Sequence, residues 1–130
     1  MYGTLEIFRM AHGLAVHASA RQSAIAGNVA NADTPGYRAQ DIAPFSETYR
    51  AEPHSTALRG TRAGHLGGEG AASPEPRTHD APGPSAPNGN TVSLETEMMK
   101  GVEVRQTHEM ALSIYKTSLD ILRTSLGRAR

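Results

Sequence analysis

The sequence predicts a mainly α-helical chain: long N- and C-terminal helices pair as a coiled coil, joined by a long Pro/Gly-rich, irregular or partly disordered middle segment. Three observations point there. Apolar residues recur at four-then-three spacing near both ends, the middle gathers most of the eight prolines, and only 5% of the 130 residues are aromatic. The chain divides accordingly into an N-terminal helix over 1–32, a turn and extended segment over 33–49, a Pro/Gly-rich loop or insertion over 50–90, and a C-terminal helix over 91–130.

The first helix is read from Ile7, Ala11, Leu14, Ala18, Ile25 and Ala32, whose alternating spacing is that of a coiled-coil seam. Arg21 and Asn28 occupy the same seam and interrupt it, while Phe8, Ala15 and Val29 widen the apolar face. Thr4 is placed to cap its start. At ~1.5 Å per residue such a helix is on the order of 40 Å long, more than a small globular domain needs. Asp33, Thr34, Pro35 and Gly36 stop it, with Pro35 and Gly36 suited to the central positions of a type II turn. Asn28 and Asn31, near this end, either satisfy the helix terminus or specify register, as polar seam residues do. Tyr37 and Phe45 are expected to anchor the turn segment against a helix or a neighbouring molecule.

From about Arg50 to Asn90 the character changes. Pro53, Pro74, Pro76, Pro82, Pro84 and Pro87 fall here among many glycines, and the only large aliphatics are Leu58 and Leu66. No periodicity appears, so the segment reads as a loop or disordered insertion, at most a short hairpin. A loop of this length argues against one conventional core and for a role in assembly.

The last helix keeps the four-three spacing through Leu94, Met98, Gly101, Arg105, His108, Leu112, Tyr115, Leu119, Leu122 and Leu126. Its second half, Leu112 to Leu126, is the strongest seam in the chain; Gly101, Arg105 and His108 weaken the first. Ser93 ahead of Leu94, with Thr96 three residues on, resembles a helix start. Gly127 suits a stop. Two such helices bury one stripe against each other and leave apolar area that neighbouring copies would cover.

Composition excludes several functions. The 13 basic and 13 acidic residues balance, which argues against a protein held on nucleic acid by phosphate contacts. Without cysteine there is neither a disulfide framework nor a thiolate metal site. Met1 to Met10 lacks a basic region followed by an apolar one, so no cleaved signal peptide is expected. No run approaches the roughly 18 apolar residues of a membrane span, and no lysine/arginine stripe suits a helix lying on a membrane. His12 and His17 are not spaced as a helical metal pair, and His54, His65 and His79 follow no ligand pattern. His108 with Glu109 or Glu103 is the nearest thing to a base and its partner; solvated or interface histidines are the plainer reading. Glu95 and Glu97 suit the first turn of a helix. No nucleophile elbow or phosphate loop is present. No catalytic residue, metal or cofactor is expected.

The run Asn28-Val29-Ala30-Asn31-Ala32-Asp33-Thr34-Pro35-Gly36-Tyr37-Arg38 resembles the signature near the N-terminus of bacterial flagellar rod, hook and hook-associated proteins. With Asp41-Ile42-Ala43-Pro44-Phe45 it is most similar to the proximal-rod FlgB family. Asn88-Gly89-Asn90-Thr91-Val92-Ser93-Leu94-Glu95-Thr96-Glu97-Met98 resembles the segment that opens that family's C-terminal helix. The resemblance covers both ends and leaves residues 50–87 unaccounted for. It implies a structural subunit of the basal-body rod, needed for motility, that leaves the cell through the flagellar type III export apparatus without a cleaved signal. It implies contacts with other copies of itself, other rod proteins, the FliE-type junction protein and the basal ring. The apolar spacing of the two helices assigns Ile7, Leu14, Ala18, Ile25, Val29, Leu112, Tyr115, Leu119, Leu122 and Leu126 to helix packing in the assembly. A soluble helical adaptor or export chaperone of a type III secretion system is the alternative, distinguished by binding clients without polymerising.

Overall fold

The computed structural model describes residues 2–51, 77–81 and 83–127. In chain order its elements are helix α1 (Tyr2–Ala30), strand β1 (Gln40–Ile42), helix α2 (Phe45–Ala51), strand β2 (Thr78–Asp80) and helix α3 (Leu94–Gly127). The long helices lie antiparallel, since Phe8 near the start of α1 meets Tyr115 in α3 edge-to-face at 5.1 Å, while Asn28 near its end meets Glu97. Ala11, Ala18 and Ile25 are buried on α1 and Val104 and Ala111 on α3; Ala18, Ile25 and Val104 form the apolar centre. Side chains this small let two helix backbones approach but remove little apolar area from water.

A two-stranded antiparallel sheet crosses the end of the pair, with Gln40 opposite Asp80, Asp41 opposite His79 and Ile42 opposite Thr78. Beyond it α2 lays the Phe45 ring against α1. A Cβ on Gly13 would stand 3.6 Å from that ring, and the His17 ring meets it edge-on at 5.6 Å.

Several expectations need correcting. Helix α1 already runs at Tyr2, so Thr4 lies inside its first turn and is not its cap. The segment 33–49 is not extended throughout: the Pro44 carbonyl accepts from the Glu47 and Thr48 amides and opens α2, with Glu47 in the first turn where a carboxylate favours the helix dipole. Much of the Pro/Gly zone, residues 52–76 and Pro82, lies outside the described residues, His54, Leu58, His65 and Leu66 among them. Its described remainder is irregular apart from one short strand and one tight loop. It supplies β2, and Pro87, Asn88 and Gly89 form a three-residue loop closed by Gly89 N to Ala86 O (2.8 Å) and Ala86 N to Asn90 O (2.8 Å). Gly89, at φ 80°, fills the left-handed position such a loop requires.

The largest correction concerns α3. Its buried residues are Glu97, Val104, Ala111 and Ser118, spaced by heptads. The stripe of Met98, Arg105, Leu112, Leu119 and Leu126 lies one residue further round. Leu112 is 52% exposed and Leu126 76%.

Candidate functional site

The two sequence motifs, one after α1 and one before α3, fold into a single joint. Its first half is the end of α1. The Asn31 side chain donates to Gly27 O (2.9 Å), accepts from Thr34 Oγ1 (3.2 Å), and so closes the helix. Tyr37 N to Thr34 O (3.3 Å), with Gly36 at φ 72°, makes the turn expected around Pro35 and Gly36. That turn rests on the Pro87–Gly89 loop: Gly36 N donates to Asn88 O at 3.0 Å, and a Cβ on Gly89 would stand 3.5 Å from Gly36 Cα. Asp33, Thr34, Pro35 and Gly36 remain exposed.

Asn90 ties the halves together. Its buried Nδ2 donates to the carbonyls of Asn31 (3.0 Å), Ala32 (2.7 Å) and Thr34 (2.9 Å), and its Oδ1 accepts from Val92 N (2.7 Å). The Ala32 carbonyl, which has no backbone donor where α1 ends, is thereby satisfied from 58 residues away, and the Asn31 and Thr34 carbonyls gain a second donor. Ser93 then starts α3, its oxygens accepting from Thr96 N (3.5 Å) and Glu97 N (2.9 Å).

At the centre stands Asn28, fully buried. Its Nδ2 donates to Gln40 O (2.7 Å) and Glu97 Oε2 (2.9 Å), and its Oδ1 accepts from Gln40 N (2.9 Å) and the Tyr37 hydroxyl (3.4 Å). The side-chain amide therefore pairs with the β1 backbone at two points, as a neighbouring strand would. The other Glu97 oxygen accepts from Lys100 Nζ (2.9 Å), which also lies 3.2 Å from Asp41 Oδ2. Arg21 grips Asp41 with two bonds, 2.8 and 3.1 Å. Burial works to raise the Asp41 carboxyl, but hydrogen bonds from Arg21, the Ile42 amide and Lys100 outweigh it and hold the group at about 2, below its ordinary 3.8. The hydrogen bond to Asp41 raises Arg21 against the opposing effect of burial. Burial pulls Lys100 down, yet Glu97 and Asp41 leave it raised. Among the described residues no buried side-chain nitrogen or oxygen lacks a partner.

Of the residues marked from sequence, Asn28, Asn31 and Tyr37 meet in this joint and Phe45 anchors beside it. The Asn28 side chain bonds across to Glu97 of α3, while that of Asn31 bonds back into the end of α1. Ala18 and Ile25 are buried and Leu14, Leu119 and Leu122 half-buried along the pair. Ile7, Val29, Leu112, Tyr115 and Leu126 keep substantial exposure. Sequence reasoning missed His17, whose buried Nε2 lies 2.7 Å from Ala43 O, and Asn90, Glu97, Asp41 and Lys100. His108 and Glu109 border an open groove of about 430 Å³ beside Gly101 and Val104, but the Glu109 carboxylate accepts from Arg105 at 3.1 Å. Nothing in the joint presents a nucleophile with its base; what it can do is fix one backbone segment against another.

A family model described as flagella basal body rod protein matches residues 16–38, the stretch that carries Arg21, Asn28, Asn31 and Tyr37. The flagellar basal body rod protein FlgB of Agrobacterium fabrum is 31% identical over 117 residues, 87% of each chain. That of a Cereibacter sphaeroides strain is 35% identical over 120 residues, 87% of this chain and 92% of its own. The Salmonella typhimurium protein is 32% identical over 106 residues, 76% and 77% of the two chains. The chain belongs to the FlgB family. As a FlgB-family protein it is a structural subunit of the proximal rod of the flagellar basal body, not an enzyme. Among the described residues no helix is long and apolar enough to cross a membrane.

Proposed function

We propose that this rod subunit polymerises through the outer face of α3, packing against copies of itself and against other rod proteins, the FliE-type junction protein and the basal ring. It reaches the rod through the flagellar export apparatus, without a cleaved signal, without inserting in the membrane and without binding nucleic acid. The observation that supports this is the row of large apolar side chains that α1 leaves uncovered along one side of α3: Leu94, Met98, Leu112 and Leu126. Contacts that repeat between different faces of successive copies build an open helical assembly, as a shaft under torque requires.

Leu112→Asp tests it. The position is more than half exposed, so the substitution spares the pair within one chain but places an unpaired carboxylate where a neighbour would seat. Cells carrying Leu112→Asp are expected to make the protein yet lack a completed rod in cryo-EM of isolated basal bodies, and not to swim. His79→Ala, on the exposed strand β2, is expected to leave swimming intact. Swimming Leu112→Asp cells would overturn the reading. Wild-type chain found only in the cytoplasm with client proteins would favour the adaptor instead.

A further inference from the structure

We propose that the polar joint is a rotational lock that decides which face of α3 is buried against α1. Helix α3 carries two overlapping stripes that share Gly101, His108, Tyr115 and Leu122. One adds Glu97, Val104, Ala111 and Ser118; the other adds Met98, Arg105, Leu112, Leu119 and Leu126. The additions differ by one residue, about 100° of helix rotation. By area alone the second stripe is the better core, since a leucine fully buried contributes roughly 1.5–3 kcal/mol. Alanine and serine contribute little, and a buried carboxylate is unfavourable unless paired. The chain nonetheless buries the first: Glu97 is 2% and Ala111 1% exposed, against 52% for Leu112.

The joint supplies the missing preference. Glu97 is tolerated inside because Asn28 Nδ2 and Lys100 Nζ converge on its two oxygens at 2.9 Å each. Asn28 cannot follow a turning α3, since Gln40 holds its amide at both ends (2.7 and 2.9 Å). Lys100 is drawn to Asp41, which Arg21 fixes to α1. Turning α3 by one residue would part Glu97 from Asn28 and Lys100 from Asp41 while leaving Asn28 buried, which disfavours that arrangement through unmet polar groups. A helix transmits its rotation along its length, so a choice made at Glu97 is felt at Ala111, about 21 Å further on. The competing cause is the seam itself: the small buried side chains of Ala11 and Ala18 on α1 and of Ala111 and Ser118 on α3 permit close approach whatever the joint does. The proposal holds whatever covers the outer leucines, so its failure leaves the rod reading untouched.

The chain has no cysteine, so single Ala111→Cys and Leu112→Cys variants report each stripe by their rates of maleimide labelling. With the joint intact, Leu112→Cys is expected to react on the order of 100-fold faster than Ala111→Cys. In an Asn28→Leu/Glu97→Leu background, where the polar pair that ties α3 to α1 is replaced by two apolar side chains, the ratio is expected to fall to near one or invert while the far-UV signal stays helical. An unchanged ratio in a helical double variant overturns the proposal and assigns the choice to the seam. Should the double variant lose its helical signal, Glu97→Gln decides, since it keeps the side-chain shape and its bond from Asn28 but weakens the pairing with Lys100. Its ratio is expected to drop by about tenfold, and no change there overturns the proposal equally.

Discussion

At one end of the helix pair Asn28, Glu97, Lys100, Asp41 and Arg21 share one network with every buried side-chain nitrogen and oxygen partnered. At the other, Ala11, Ala111 and Ser118 make a seam of small side chains while Leu112 and Leu126 face outward. The joint has directional bonds that admit one arrangement; the far end has apolar area that admits many. A subunit that must keep its shape alone and then pack against neighbours gains from that division. Specificity is concentrated at the joint, while uncovered apolar side chains run along α3 from Leu94 and Met98 to Leu126.

Removing Asn28 should break the contrast most severely. Asn28→Ala leaves the Glu97 carboxylate and the Gln40 backbone short of partners inside the protein and is expected to destabilise the isolated chain by about 3–5 kcal/mol. Leu112→Ala at the far end is expected to change it by no more than about 0.5 kcal/mol. Urea unfolding followed by circular dichroism measures both, and equal effects would erase the distinction. Asn90→Ala comes next, at about 2 kcal/mol, because the Ala32 carbonyl loses its donor and the Asn31 and Thr34 carbonyls keep only their backbone ones. Amide exchange should show the loss first where α1 ends.

Acid acts more weakly than either joint substitution, but at a single carboxyl. The Asp41 carboxyl sits at about 2 in the folded chain against an ordinary 3.8. A carboxyl lowered in this way adds stability that is complete above its unfolded value and is lost as pH falls through the folded one. The joint should therefore loosen between about pH 4 and 2, by about 1 kcal/mol once solvent screening is allowed for. The difference in stability between wild type and Asp41→Asn, followed over this range, isolates the step.

The stripe on α1 was legible because Ala11, Ala18 and Ile25 are apolar and buried together. The matching stripe on α3 was legible only in half, since a pattern that ranks residues by apolarity takes Leu112 over Ala111 and never selects Glu97 as a buried residue. Its burial depends on Asn28, 69 residues away, and no local window holds both. The strands escaped for the same reason: three residues each, without alternation, paired across the Pro/Gly zone. Helix α2 was hidden behind Pro44, whose carbonyl opens it. The turn at Pro35 and Gly36 could be read because its cause is local. Asn90 left one faint trace, an Asn-Gly-Asn run just ahead of a helix.

The pairing of Ile42 with Thr78 has a consequence for how this chain can vary. The two strands hold the stem of everything between them, so the excursion leaves and returns at one fixed doorway. Doubling the length of such an excursion adds only about 0.6 kcal/mol of closure entropy. Between Asn28 and Gln40 the spacing is rigid, because one amide must meet one peptide group at both its atoms. Insertions and deletions should accordingly accumulate on the far side of that doorway, and scarcely ever between residues 28 and 40.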